Sequence, residues 1–552
     1  MAQDANLRRI TVSNDDGDVY VESSGDGSEI VLRTEKVRVD GDVYCEGSQV
    51  GLSARIDAVF PPKCVRPGGD KLQFDGSEWL CICNGAFGGE TCETTWTPEA
   101  RVENVTSVFY MDYYYSSGPH MLSSDGDKVI IGGASRLPMI LQRTVSSDST
   151  SSQISWTPVW NFSSQYIWVE GTKYDKNSFG ASVALEGDVA LIGAPQQYFC
   201  LSEYTSNYQY CNQYIYGAGF ALMFALNGAT NEWELSSNLT ASDSVYEYKY
   251  YDWWEYDMLG EDASYQTQTT IAQIRFGTDV ALTGDYALVS SSWTSFSYDN
   301  GYEDNVNVNV PGAAYVFKKT SENEWSEQAK LVSDLGNTTN DNFGQSIDIF
   351  GDVAVVGASS DNEKGSGAGA AYVFSRSVAD ETWRRDAKLI ASDASSNDRF
   401  GQSVAVSGNY VFVGAPYDDE NGSESGSVYV FKRDASTNTW SQTAKLTASN
   451  AAPNDQFGTS VAVNGDRALV GAPYKASAFG GSGVVYVFER NVDSDEWTET
   501  LAKLTDFKGL KSEFGKQVSL SSEYAVGGFI SDDYMSSEQG AFVVIANVSS
   551  IP

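Results

Sequence analysis

The dipeptide Phe-Gly recurs in this chain at a constant step. Phe343-Gly344, Phe400-Gly401, Phe457-Gly458 and Phe514-Gly515 lie 57 residues apart, and a period of that size over four copies restricts the fold to stacked or radial repeats. Earlier copies, Phe179-Gly180 and Phe276-Gly277, are followed by steps of 97 and 67 residues, so insertions lie between them.

Each copy has one internal order. After Phe400-Gly401 comes the alternating run Ser403-Val-Ala-Val-Ser407, a tight Gly408-Asn409, then Tyr410-Val-Phe-Val413 and Gly414-Ala-Pro416. Alternation interrupted by a short glycine turn predicts a β-hairpin. A variable Asp/Ser/Gly loop leads to a third strand at Val428-Tyr-Val-Phe431, and a second turn leads to Trp440 and a fourth at Ala444-Lys-Leu446. Four short antiparallel strands in a unit of this size make a propeller blade. Central hairpins fall at Gly126, Gly187, Gly284, Gly351, Gly408, Gly465 and, degenerate, at Ser522-Glu523, which predicts seven blades. The Trp-bearing fourth strand occurs only six times, at Trp156, Trp233, Trp325, Trp383, Trp440 and Trp497. Trp96-Thr-Pro-Glu-Ala100-Arg-Val102 matches Trp440 to Leu446 in spacing and belongs to no other blade. The expected fold is therefore all-β: a seven-bladed β-propeller over 94–552, closed by an N-terminal strand that removes an exposed sheet edge. The tryptophans are expected to pack between blades.

The formal net charge of −38 argues against nucleic acid and anionic lipid as partners. It fits salt-rich or calcium-rich surroundings, and equally a need for solubility. No apolar run reaches the roughly 18 residues of a membrane span. The start of the chain lacks the apolar stretch of a signal peptide, whereas the cysteines point to an oxidising compartment. Cys45, Cys64, Cys81, Cys83 and Cys92 cluster early, and Cys200 and Cys211 lie close together in a Tyr-rich insertion. The cysteines carry more weight, so an extracellular or cell-surface location is expected. Asn104, Asn161, Asn238, Asn337, Asn421 and Asn547 stand in glycosylation sequons, several of which chance alone would supply in a chain so rich in Ser and Thr.

From Trp96 to about Ser550 the repeats resemble the FG-GAP family, the repeat of integrin α-chain propellers. Phe179-Gly180 with Gly193-Ala-Pro195, Phe400-Gly401 with Gly414-Ala-Pro416, and Phe457-Gly458 with Gly471-Ala-Pro473 carry the resemblance. Integrin blades often place a calcium loop between their first two strands. Here that position holds only Ser407-Gly408-Asn409 or Asn464-Gly465-Asp466. A turn that short cannot supply the about six to eight oxygens calcium takes, so those metal sites do not carry over.

Residues 1–60 alternate in short bursts such as Ile10-Thr-Val12, Val19-Tyr-Val21 and Val37-Arg-Val39, with Asp/Gly turns between them. Such a β-rich arm is too small and polar to bury its own core, and needs the propeller or another subunit as its partner; another subunit is favoured, because exposed strands add readily to neighbouring edges. Residues 61–93 resemble the C-terminal half of an EGF-like module, through Cys81-Ile-Cys83, Phe87, Gly88-Gly89 and Cys92. The resemblance implies disulfides Cys83–Cys92 and Cys64–Cys81. Cys200 and Cys211 make the remaining pair, and Cys45 is left free or joined to another chain.

Catalysis finds little support: the single histidine, His120, is the only residue a Ser-His-Asp or Cys-His arrangement could use. No cofactor is required. Calcium is the one candidate, at the loops after Gly-Ala-Pro, where Asp418-Asp419-Glu420 and Asp361-Asn362-Glu363 crowd hard oxygen donors. The alternative there is a set of solvated acidic loops. Asp341, Asp398 and Asp455, two places before Phe-Gly, are expected to cap turns. Tyr250, Tyr251, Trp253, Trp254 and Tyr256 form a candidate partner-binding surface, or else a plug folded over the propeller.

The first expectation is thus a non-enzymatic extracellular structural or adhesive protein, a subunit of a cell-surface filament or coat assembled through its arm. Its partners would be copies of itself, other extracellular structural proteins or glycans. The layout of polar β-arm, partial EGF module and acidic body is similar to protist surface-fibre proteins, including subunits of flagellar hairs (mastigonemes). Alternatives are a monomeric integrin-like or lectin-like binding propeller and, third, a hydrolase on a propeller scaffold.

Overall fold

The computed structural model describes residues 341–476 without a break, most of 122–334 and 482–547, and strand segments between residues 10 and 102. Among the described residues the elements are strands. The repeat folds as its pattern demands. In 403–446, Ser403–Ser407 and Tyr410–Ala415 are joined by Gly408-Asn409, with Gly408 at φ +58°. Only glycine adopts that conformation cheaply at the head of a two-residue turn. Ser427–Asp434 and Thr439–Leu446 complete an antiparallel meander. The first two strands are buried throughout and the third along its first five residues, while the fourth alternates, as an outermost strand should.

Six four-stranded meanders are continuous in the chain: 122–161, 182–239, 276–331, 343–389, 403–446 and 460–505. They are called blades 1 to 6. A seventh four-stranded sheet is composite. Gln517–Leu520, Tyr524–Ile530 and Ala541–Asn547 receive Ala100–Val102 as their outer strand, in the register Val543↔Val102, Val544↔Arg101 and Ile545↔Ala100. The expected seven-bladed ring is thus six chain-continuous blades plus one sheet made from both ends of the repeat region. The innermost strands neighbour one another in order around the ring, with that of the composite sheet beside that of blade 1. Together they line a central cavity. Across the seam, Ser124 N donates to Ser519 Oγ at 2.9 Å.

The Phe-Gly and Gly-Ala-Pro signatures mark the joint between blades. Ser182, Ser346, Ser403 and Ser460 donate through Oγ to the carbonyls of Gly277, Gly401, Gly458 and Gly515 of the next unit, at 3.0, 2.9, 2.8 and 2.7 Å. The same carbonyls press on the glycine of Gly-Ala-Pro: a Cβ on Gly414 would lie 2.1 Å from Gly458 O, and one on Gly471 1.9 Å from Gly515 O. Only glycine permits that approach. Phe343, Phe400 and Phe457 are fully buried, and each packs edge-on against a Tyr and a Phe of the third strand, as Phe400 does on Tyr429 and Phe431. The outer-strand tryptophans pack between blades as expected: Trp383 on Tyr286, Trp497 on Tyr410 and Phe412, and Trp156 on Tyr524.

A four-stranded meander puts two turns on one face of the ring and, on the other, the second-to-third-strand loop together with the connector to the next blade. Blades 4 to 6 keep this loop face short. Around blades 1 to 3 it carries extra sheets. Tyr166–Val169 and Thr172–Asp175, from the connector between blades 1 and 2, pair with Tyr198–Cys200 and Tyr214–Tyr216 from the loop of blade 2. Two hairpins, Val245–Tyr250 with Gln266–Ile271 and Thr294–Asp299 with Asn305–Val310, follow. In the N-terminal region Ile10–Asn14 pairs with Gly17–Val21 and Arg38–Val39, and Lys71–Phe74 pairs with Val43–Tyr44 and Trp79–Ile82.

Candidate functional site

The acidic loops after Gly-Ala-Pro were expected to offer oxygens to calcium. Their carboxylates do converge, but on a lysine. In blade 5 the turn that follows Ala415 places Asp418 beneath the loop, 4% exposed. Asp418 Oδ1 accepts from Glu420 N at 3.1 Å and Ser427 Oγ at 2.9 Å; Oδ2 accepts from Tyr429 OH at 2.9 Å and Lys445 Nζ at 3.1 Å. The same ammonium meets Asp393 at 2.6 Å and Glu420 at 2.5 Å. Asp393 comes from the connector that leaves blade 4, so the cluster ties two blades together.

Strand register explains why lysine arrives there. Tyr429 lies directly across from Lys445, and the ammonium sits over the tyrosine ring, 5.1 Å from its centroid. Tyr429 OH completes the knot by sharing its single proton between Asp393, at 2.8 Å, and Asp418. Burial works against the Lys445 ammonium, but Asp393, Glu420 and Asp418 outweigh it and hold its pKa above the ordinary lysine value. Burial likewise opposes the Asp393 carboxylate, and hydrogen bonds from Lys445 and Tyr429 overcome that and lower its pKa.

Blade 4 repeats the arrangement. Asp361, 1% exposed, and Glu363 each lie 2.8 Å from Lys388 Nζ, and Tyr372 OH donates to Asp334 at 2.8 Å. Asn362 and its counterpart Asp419 do not join the clusters; they accept from Gly367 N and Glu424 N, each at 2.8 Å, and shape their loops. Blade 3 has the core of the knot, Tyr315, Lys330 and Asp243. Blade 6 has a variant. Tyr486 OH donates to Asn450 at 2.7 Å and Lys503 lies over the Tyr486 ring at 5.0 Å. Lys475, in the place of Asp418, pairs with Asp455 at 3.1 Å. Among the described residues no group of metal-ligating side chains surrounds an open position. Asp361, Glu363, Asp418 and Glu420 each have a lysine ammonium as partner.

The turn-capping expectation fits the geometry. Asp398 Oδ2 accepts from Ser395 N and Asp455 Oδ2 from Ala452 N, both at 2.7 Å, and Asp341 Oδ1 accepts from Phe343 N at 3.1 Å. Burial, and behind it repulsion from Asp418 and Asp419, pushes the Asp398 carboxyl up to about 6. Burial raises that of Asp341 also.

Sequence reasoning missed the Tyr–Lys–acid knot, although its signal was present. Tyr315, Tyr372, Tyr429 and Tyr486 recur at the Phe-Gly step of 57 residues, and Lys330, Lys388, Lys445 and Lys503 nearly so. Of the other expected site residues, Tyr250 ends a hairpin strand, whereas Tyr251, Trp253, Trp254 and Tyr256 lie outside the described residues. The seven cysteines and His120 also lie outside the residues whose side chains are described, so no disulfide is assigned. Asn421 is exposed on its loop and Asn238 is half-buried in an outer strand. The side chains of Asn104, Asn161, Asn337 and Asn547 are outside the described set.

In the added sheet the strands pair as Tyr166↔Asp175, Tyr174↔Phe199 and Tyr198↔Tyr216.

The FG-GAP repeat family matches residues 325–374, 383–431 and 440–488. Each matched stretch begins on the Trp of one blade's outer strand and ends on the third strand of the next blade. That phase explains the composite sheet, because a repeat that starts on an outer strand leaves the first such strand to complete the last sheet. No curated protein matches the chain. Among the described residues no helix is long and apolar enough to cross a membrane. With three matched repeats and a ring of meanders joined through Phe-Gly and Gly-Ala-Pro, the protein is a β-propeller that carries FG-GAP repeats.

Proposed function

We propose that this propeller is the rigid body of a non-enzymatic extracellular structural or adhesive protein, with the N-terminal arm as its assembly segment. Its partners are copies of itself, other extracellular structural proteins or glycans. The observation that carries the reading is the closing strand. Ala100–Val102 is hydrogen-bonded into the last sheet, so the arm is anchored in the ring. Among the described residues the strands Ile10–Asn14, Gly17–Val21 and Arg38–Val39 pair only with one another. A three-stranded sheet of that size has open edges to which a neighbour's strand can add. Negative-stain microscopy tests the reading. The full chain should give filaments or defined oligomers, and the chain lacking residues 1–60 single discs. Single discs from the full chain at every concentration would refute it.

A second reading, a monomeric integrin-like or lectin-like binding propeller, is favoured by the aromatic-rich strands added around blade 2, Tyr166–Val169, Tyr198–Cys200 and Tyr214–Tyr216. Tyr and Trp offer rigid contact area for protein or sugar. Glycan-array binding that is lost on changing Tyr198 and Tyr216 to Ala would favour it.

A further inference from the structure

We infer that the ammonium groups of Lys388 and Lys445 stand in for a metal ion in the loop-face clusters of blades 4 and 5, which therefore hold their loops without calcium. In blade 5 the three carboxylate oxygens around Lys445 Nζ lie at 2.6, 3.1 and 2.5 Å, from two stretches of chain, the connector that carries Asp393 and the loop that carries Asp418 and Glu420. A calcium ion takes oxygens at about 2.3–2.6 Å. Its centre would fall where the nitrogen is, so ammonium and metal exclude each other.

The blades show which came first in the design. The outer-strand lysine over a third-strand tyrosine is present in blades 3, 4, 5 and 6. The acids around it vary. Blade 3 brings Asp243; blade 4 adds Asp361 and Glu363; blade 5 adds Asp418 and Glu420 to Asp393. In blade 6 the position of Asp393 is taken by Asn450 and that of Asp418 by Lys475, which turns to Asp455. The cation is constant and its acidic ligands are not, which is the pattern of carboxylates gathered around a lysine. It is not the pattern of a metal site in which a lysine intrudes. Removing the ammonium leaves a buried carboxylate, Asp418 or Asp361, and the exposed acids beside it without a counter-charge, a set that a divalent cation can occupy.

Calcium titration of the full chain and of Lys445→Met tests this, with Lys388→Met as an independent second variant. Lys445→Met should melt well below the wild type in EDTA, recover in calcium chloride, and bind one more calcium ion per chain by calorimetry than the wild type. The added Asp418→Asn change should abolish the gain. If Lys445→Met fails to fold in EDTA, refolding on calcium addition is the supporting result. The inference falls if neither variant gains calcium, or if Asp418→Asn alone removes a calcium ion from the wild-type chain.

Discussion

Blades 1 to 3 and blades 4 to 6 are built on one strand order but use the loop face in opposite ways. In blades 4 and 5 the loops are short, folded against the next connector, and held by buried carboxylates on a single lysine. The backbone of residues 423–425, for example, receives N–H groups from Asn454, Gln456 and Phe457. Around blades 1 to 3 the equivalent connections lengthen into paired strands that form sheets of their own. The difference teaches that the ring admits large insertions even beside an inter-blade contact: the hairpin of Val245–Tyr250 and Gln266–Ile271 follows directly on Asp243, which reaches Tyr315 and Lys330 of blade 3. Loop length alone costs little, about 0.6 kcal/mol per doubling.

This contrast can be broken or sharpened by experiment. The largest effect should come from deleting residues 94–103, which removes the outer strand of the composite sheet; the cooperative thermal transition should collapse, whereas deletion of residues 1–60 should leave it unchanged. Next in size is Gly414→Ala, which forces a Cβ against the Gly458 carbonyl of the neighbouring blade and should cost about 3 kcal/mol in urea unfolding. Gly408→Ala meets nothing within 4 Å and should cost only about 1 kcal/mol, for its positive φ.

The third test sets two equivalent aspartates against each other. Asp455 neutralises the buried Lys475, so Asp455→Asn should destabilise by about 2–3 kcal/mol. Asp398 has no such partner, and its carboxyl is held up at about 6. The folded chain therefore keeps this proton when the unfolded chain has lost it. The resulting stability is complete below about pH 4, declines as pH rises, and is gone above about pH 6. Asp398→Asn should flatten that slope and stabilise the protein by about 1–2 kcal/mol at pH 7.5, the opposite sign to its counterpart, by urea unfolding across pH. The smallest effect on stability, within about 0.5 kcal/mol, is expected when the hairpin 294–310 is replaced by the short loop of blade 5. An unfolding midpoint that fell steeply would show that this insertion braces the ring after all.

Much of the fold was legible because its repeat is local. The Gly-Asp turns, the buried alternating strands and the tryptophan between blades all follow from residues within one period. The closing strand was legible too, since seven hairpins against six tryptophan strands left Trp96–Val102 over. What escaped depends on chain segments from different periods. The glycine of Gly-Ala-Pro is required by a carbonyl one blade further on, and the partner of Lys445 that defines the knot, Asp393, lies 52 residues upstream in another blade's connector. Read alone, Asp418-Asp419-Glu420 carries the mark of a cation site; that the cation is part of the chain appears only when Tyr429 and Lys445 are placed opposite each other. The added sheet was equally hidden, because its two halves come from connections on either side of the first two strands of blade 2.

The composite sheet has a consequence for how the molecule is made. Val102 pairs with Val543, about 440 positions later. A ribosome delivers the closing strand before any blade exists and its partner after all the others are complete. While the blades between them are made the nascent propeller is an open horseshoe with an exposed edge at each end, and the strand that seals it must wait, already emerged, for residues 541–547. Premature release of the chain would thus leave every other blade folded and the ring unlocked, a form that quality control could recognise by that single gap.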